Sequence, residues 1–181
     1  MIEGEIYQLT KNGDANITED EHFDIVRRKT AYLFAGCARI GGMLGPTTRE
    51  QQEALWDYGL NIGMAFQLVD DALDYSGDIS ETGKNLGDDL NEGKPTMPLL
   101  RVMQSGSAQQ SALVRNAIEQ GGREDFALVM QAINATDALQ YTRDRAKESS
   151  DRAIRAIEKL KATPYRESLL ELARFAVDRS H

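Results

Sequence analysis

Apolar residues recur along this chain in steps of three and four, and nowhere do they alternate with polar ones at period two. The pattern predicts an all-α protein. A first helix covers residues 2–10, where Ile2, Ile6 and Leu9 share the turns with Glu3, Glu5 and Gln8. It begins at the first residue without a cap, and Lys11 to Asn16 reads as a turn. Thr18 followed by Glu21 is a capping-box signature. It opens a helix running to about Leu44, with Phe23, Val26, Ala31, Leu33, Phe34, Ala38 and Ile40 on its apolar faces. Gly41 and Gly42 mark a weak point near its end, and Pro46 breaks the chain. Thr48 and Gln51 restart a helix over about 49–76. In it, Gly59 and Gly63 lie one turn apart and predict close approach of a neighbouring helix, since glycine otherwise costs up to about 1 kcal/mol there. Residues 76–95 hold four glycines and little apolar content, so they read as a long loop. Thr96 caps a short helix with Pro98 in its first turn. Helices of roughly 107–120, 123–134, 136–160 and 164–179 follow, with no internal repeat.

Within the 49–76 helix, the stretch Phe66 to Asp74 departs from the ordinary pattern. Asp70 and Asp74 are four residues apart and project together, with Asp71 on the flank and Gln67 a turn earlier. Leu68, Val69, Ala72 and Leu73 fill the other directions. Carboxylates clustered on an otherwise apolar helix repel one another. A hard cation such as Mg²⁺, which takes oxygen ligands and is often shared with phosphates, relieves that repulsion. The plain alternative is a solvated acidic face or a set of helix ion pairs. No lysine or arginine lies four residues from any of the three acids, so the second form of that alternative is closed.

Two further stretches carry charge suited to such a site. The 76–95 loop returns Lys84 and Lys94 towards the acidic helix. They read either as ammonium groups on a mobile flap that grips a diphosphate, or as part of a flexible, solubilising loop. Lys29 and Thr30, in the run from Arg27, could face the acidic cluster across a groove between helices. The residues by themselves favour snorkelling cations and an interior threonine. His22 and His181 lack metal-ligand spacing and read as surface residues. Cys37, with no histidine nearby, reads as core.

Composition narrows the picture. The chain has 181 residues, 41% hydrophobic and 28% charged, which suits a single globular domain spanning 1–181. A formal net charge of −8 and the lack of a basic stripe argue against nucleic acid. The same charge means that an anionic substrate needs metal ions or local lysines to reverse the field. One cysteine excludes a disulfide framework and a cysteine zinc site, and fits a reducing, cytoplasmic compartment. No apolar run is long enough to span a bilayer, and the first residues do not form a signal peptide. There is no Gly-rich dinucleotide turn, P-loop or nucleophile elbow.

Five motifs in order carry a family resemblance: Gly4-Glu5 with Gln8-Leu9; Arg28-Lys29-Thr30; Phe66-Gln67-Leu68 with Asp70-Asp71 and Asp74; Gly83-Lys84 with Gly87 and Asp89-Leu90; and Glu92-Gly93-Lys94-Pro95-Thr96 with Pro98. Together they span most of the chain, which resembles the C-terminal part of a trans-isoprenyl (polyprenyl) diphosphate synthase of the bacterial long-chain branch. The resemblance implies a helical bundle, a partial isoprenoid-synthase fold lacking the N-terminal helices. It implies Mg²⁺-dependent head-to-tail condensation of isopentenyl diphosphate with an allylic diphosphate to make a polyprenyl diphosphate. Asp70, Asp71 and Asp74 would form the second Asp-rich motif, with Asp70 in direct metal contact. Lys29 and Lys84 would hold the allylic diphosphate, and Asp89 and Lys94 would act through water in the closing loop. Thr30 and Gln67 would place oxygen dipoles near an allylic cation. The family's first Asp-rich motif would lie upstream of Gly4. The expected partners are therefore a second copy of the chain or a fuller synthase chain. The alternative to catalysis is a non-catalytic partner subunit or an inactive truncated homologue.

Overall fold

The computed structural model describes residues 2–76, 86–122 and 124–179. Among the described residues every regular element is helical. The scaffold is a helix of 25 residues, α4 (Arg49–Leu73), which runs roughly 37 Å at 1.5 Å per residue. Its start is set as the sequence predicts: the Thr48 hydroxyl accepts from the Gln51 backbone, and the Gln51 side chain accepts from the Thr48 backbone. It ends three residues earlier than the pattern suggests. Tyr75 and Ser76 bond back to Ala72 and Leu73, tightening the last turn.

Two helices lie along α4. On one side is α3 (Tyr32–Met43). Gly59 and Gly63 make that approach possible, because a Cβ on either would overlap the Phe34–Ala35 backbone or Ala31. On the other side is α9 (Ala138–Ile157), which presents the buried small residues Ala146 and Ala153. The last helix, α10 (Pro164–Asp178), adds Leu170 and Ala173 to a core shared with Tyr58, Ile62 and Ile157. A second core joins α6 (Met97–Ser105), α7 (Ala108–Gln120) and α8 (Phe126–Ala135). Leu99, Val102, Val114, Ile118, Val129 and Ile133 are buried in it.

The stretch expected to be one helix from Thr18 to Leu44 is three elements. α2 (Glu19–Val26) starts at the predicted capping box, with both of its bonds formed. A π-helical turn over Arg27–Ala31 follows, in which the Tyr32 backbone N–H reaches the carbonyl of Arg27, and α3 then resumes. The apolar spacing shows the reason. Val26 and Ala31 are five residues apart yet pack with Met64 in one cluster, which an α-helix would hold about 140° apart. The first helix, α1 (Ile2–Lys11), seats on this turn through Gly4, where a Cβ would meet the Arg28–Lys29 backbone.

The long loop is also more structured than its composition suggests. Residues 77–85, which include Gly83 and Lys84, lie outside the described residues. The rest holds a short helix, α5 (Asp88–Asn91), anchored by the buried Leu90. Cys37, expected in the core, is exposed on α3. That face of α3 and the outer face of α1 leave Ile2, Ile6, Leu9, Leu33, Ile40 and Leu44 largely uncovered. Among the described residues, no helix is long and apolar enough to cross a membrane.

Candidate active site

The acidic end of α4 meets the π-turn, the α5 segment and the end of α10. From the π-turn, the Thr30 hydroxyl donates to Gln67 Oε1 at 2.9 Å. The Gln67 amide in turn donates to Asp71 Oδ1 at 3.2 Å. The other oxygen of Asp71 lies 2.9 Å from His22 Nε2. His22 and Asp71 are 3% and 2% exposed, so this pair is sealed inside the bundle. His22 is therefore no surface residue. It shares a helix face with Ile25 and Val26, three and four positions on and both buried, and that spacing was the signal that it points inward.

Asp71 thus turns away from Asp70 and Asp74. Asp74 stands at the C-terminus of α4, where Oδ2 accepts the Asp89 backbone N–H at 3.2 Å. Burial, followed by the negative charge of Asp89, pushes its carboxyl up to about 7. Asp89 is raised too, first by burial and then by the charge of Asp71. Lys94 bonds Asp89 at 3.1 Å and Glu92 at 2.8 Å. Burial works to lower its affinity for protons, but the bonds to both carboxylates outweigh that and raise it. Among the described residues, several partly dehydrated carboxylates share the charge of Lys94.

Lys29 points elsewhere. Its ammonium donates to Gln8 at 2.7 Å and lies 3.5 Å from Glu5, both on α1. Thr30 reaches the acidic helix, whereas the neighbouring Lys29 is held by α1 beside the same groove. Sequence reasoning missed one cation altogether. Arg179 lies 3.8 Å over the Phe66 ring and donates to the Phe66 carbonyl at 2.6 Å. Burial lowers its proton affinity and the charge of Asp70 opposes that. Only its place at the chain's end, far from every motif, distinguished it in the sequence.

Beside these polar groups the bundle opens into an apolar cavity of about 470 Å³, lined by Phe34, Tyr58, Ile62, Phe66 and Leu169 among others. A groove of about 480 Å³ along α1 and α3 is lined by Lys29, Thr30, Leu33 and Phe34. Thr30 and Phe66 therefore stand where polar and apolar walls meet. For a metal, the donor set is all oxygen, which suits a hard cation. Among the described residues, no group of three or more acidic, histidine or cysteine side chains could hold a metal ion. A hard cation here would have to draw on one or two carboxylates and complete its shell with water or phosphate oxygens.

The all-helical bundle built round α4 has the architecture of the isoprenoid-synthase class. The polyprenyl synthetase family profile matches residues 1–136, and the chain belongs to that family. It is 48% identical over 180 residues to the octaprenyl diphosphate synthase of Escherichia coli K12, covering 99% of this chain and 56% of that protein. Its fold superposes with a TM-score of 0.92 on a polyprenyl synthase from Caulobacter crescentus complexed with calcium and isoprenyl diphosphate. That match has 40% identity and covers 99% of this chain and 56% of the other. A geranylgeranyl pyrophosphate synthase from Corynebacterium glutamicum, complexed with isoprenyl diphosphate and magnesium, matches at 29% identity and a TM-score of 0.87. Coverage there is 98% of this chain and 52% of the other. The chain thus spans little more than half the length of these relatives.

Proposed function

We propose that this chain supplies the second Asp-rich motif of a magnesium-dependent polyprenyl diphosphate synthase. The reaction would join isopentenyl diphosphate head to tail with an allylic diphosphate. The observation that carries the reading is the Thr30–Gln67 hydrogen bond, which ties the π-turn to the aspartate-bearing end of α4 beside a groove lined by Thr30, Leu33 and Phe34. Asp70 and Asp74 would hold Mg²⁺, with Asp71 supporting them, since both of its oxygens already accept hydrogen bonds. When bound, the metal neutralises charge on the leaving diphosphate. Lys29, once released from Gln8, and Lys84 would add cationic contacts to the same diphosphate, and Lys94 keeps Asp89 in place beside it. The oxygens of Thr30 and Gln67 would face the allylic carbon as its bond to oxygen breaks. The cavity walls would hold the prenyl chain and keep water from the cation.

The test is calorimetric titration of the chain with inorganic diphosphate in the presence and absence of Mg²⁺. Metal-dependent binding is expected, and Asp70→Ala is expected to weaken it by at least about tenfold, the loss of one charged ligand. Unchanged affinity in that variant overturns the ligand assignment. Magnesium-dependent elongation of farnesyl diphosphate, by the chain alone or with a complementary N-terminal half, would establish turnover.

A second reading is favoured by the uncovered apolar residues of α1 and α3. Apolar faces of this extent mark interaction sites. We infer that they dock a fuller synthase chain or a second copy, and a purely supporting subunit would use the same face without catalysis.

A further inference from the structure

The four groups His22, Asp71, Gln67 and Thr30 form one unbroken line of hydrogen bonds across α2, α4 and the π-turn, with separations of 2.9, 3.2 and 2.9 Å. Its donors converge on Asp71, from His22 on one side and from Thr30 through Gln67 on the other. A carboxylate only accepts, so Asp71 receives Nε2–H from His22 and N–H from Gln67. The amide nitrogen of Gln67 is thereby committed to Asp71, and its oxygen must face Thr30. The Thr30 proton is consumed by that oxygen. What Thr30 offers onward, into the groove it lines with Leu33 and Phe34, is a lone pair.

We propose that His22 is a positioning residue: acting through Asp71 and Gln67, it fixes the polarity of Thr30 so that an acceptor faces the allylic carbon. This rests on the prenyl-transfer reading above. Without the buried His22 donor, Asp71 would have one oxygen unpaired in the interior. It would then be free to turn, and Gln67 could present its amide N–H to Thr30 instead. The hydroxyl would in turn direct its proton towards the developing cation, reversing the sign of the local dipole. A buried network of this kind is all or nothing, because a half-satisfied member costs more than an apolar replacement. The capping box at Thr18 fixes the start of α2 and with it the position of His22, four residues on.

The test uses His22→Phe and His22→Gln, the glutamine amide standing where Nε2 stood. The first readout is nitrogen–proton NMR of the Gln67 side chain, which needs no ligand. In the unaltered chain its amide protons are expected to exchange slowly and to give one set of signals. In His22→Phe they should exchange fast or appear in two orientations, and in His22→Gln the single set should return. Gln67 signals unchanged in His22→Phe overturn the proposal. The second readout is calorimetry with two probes: magnesium with inorganic diphosphate, and an ammonium analogue of the allylic cation added with them. His22→Phe is expected to keep the first affinity and lose about tenfold in the second, the size of one hydrogen bond to a charged group. Equal losses for both probes would mean general damage to the site and would also overturn the proposal. If the unaltered chain binds neither probe, the prenyl-transfer reading fails, while the Gln67 signals still decide the positioning. Should His22→Phe not fold, His22→Leu serves, since it too removes the Nε2 donor, and Gln67 is again expected to lose its single orientation.

Discussion

Asp74 shows how one residue couples the site to pH. Its carboxyl has an ordinary value of 3.8 and is pushed up to about 7 in the fold. A raised carboxyl means that the folded chain holds a proton the unfolded chain has lost. Its contribution to stability is complete below about pH 4 and drains away as the pH rises through 7. The metal-free chain should therefore melt at a lower temperature at pH 8 than at pH 6, and Asp74→Asn should flatten that slope. Magnesium held by Asp74, as proposed, would work in the opposite sense, since it would displace the proton. Its affinity, read by titration, is expected to fall by up to about tenfold per pH unit below 7. At this scale the sequence was informative about type and poor about direction. Asp70, Asp71 and Gln67 lie on α4, and Asp74 caps its end. That Asp71 turns inward to a histidine 49 positions earlier is a tertiary fact, and so is the hold of α1 on Lys29.

At the scale of elements, the glycine pair of α4 was legible because a helix carries glycine at a cost unless something needs the space. Gly63→Val should drive α3 off α4. Overpacking of this kind costs typically about 1–3 kcal/mol, and a clash with backbone at Ala31 gives little room for relief. Urea unfolding is expected to show a loss at or above the upper end of that range, with Gly41→Ala, where a Cβ meets open space, as the neutral control. The starts of α2 and α4 were equally readable, since Thr18 and Thr48 form reciprocal caps, whereas Thr96 stands at the start of α6 without a side-chain cap bond. The π-turn was not readable. It leaves no gap in the apolar pattern, only a shift within it, and Gly41 and Gly42 gave a false sign of weakness further on.

For the whole molecule, a net charge of −8 coexists with an uncovered apolar face on α1 and α3. Ile6→Glu combined with Leu44→Glu should reduce association, measured by light scattering over a concentration series, and leave helicity unchanged. An unaltered molar mass at every concentration in both proteins would dismiss the face as a contact. The π-turn has a different kind of consequence, which is one of counting. Val26 and Ala31 need five steps to reach the same neighbour here and would need four in an α-helix. The chain therefore holds one residue more than its core requires at this point. Removing Arg28 should restore regular winding, keep both residues against Met64, and leave the melting temperature within a few degrees on the usual scale of about 1 kcal/mol. α1 would lose the Arg28–Lys29 backbone on which Gly4 seats, and magnesium-dependent diphosphate binding is expected to weaken as Lys29 shifts along the turn. That pair of outcomes would make the surplus residue a spacer that the bundle tolerates and the site needs.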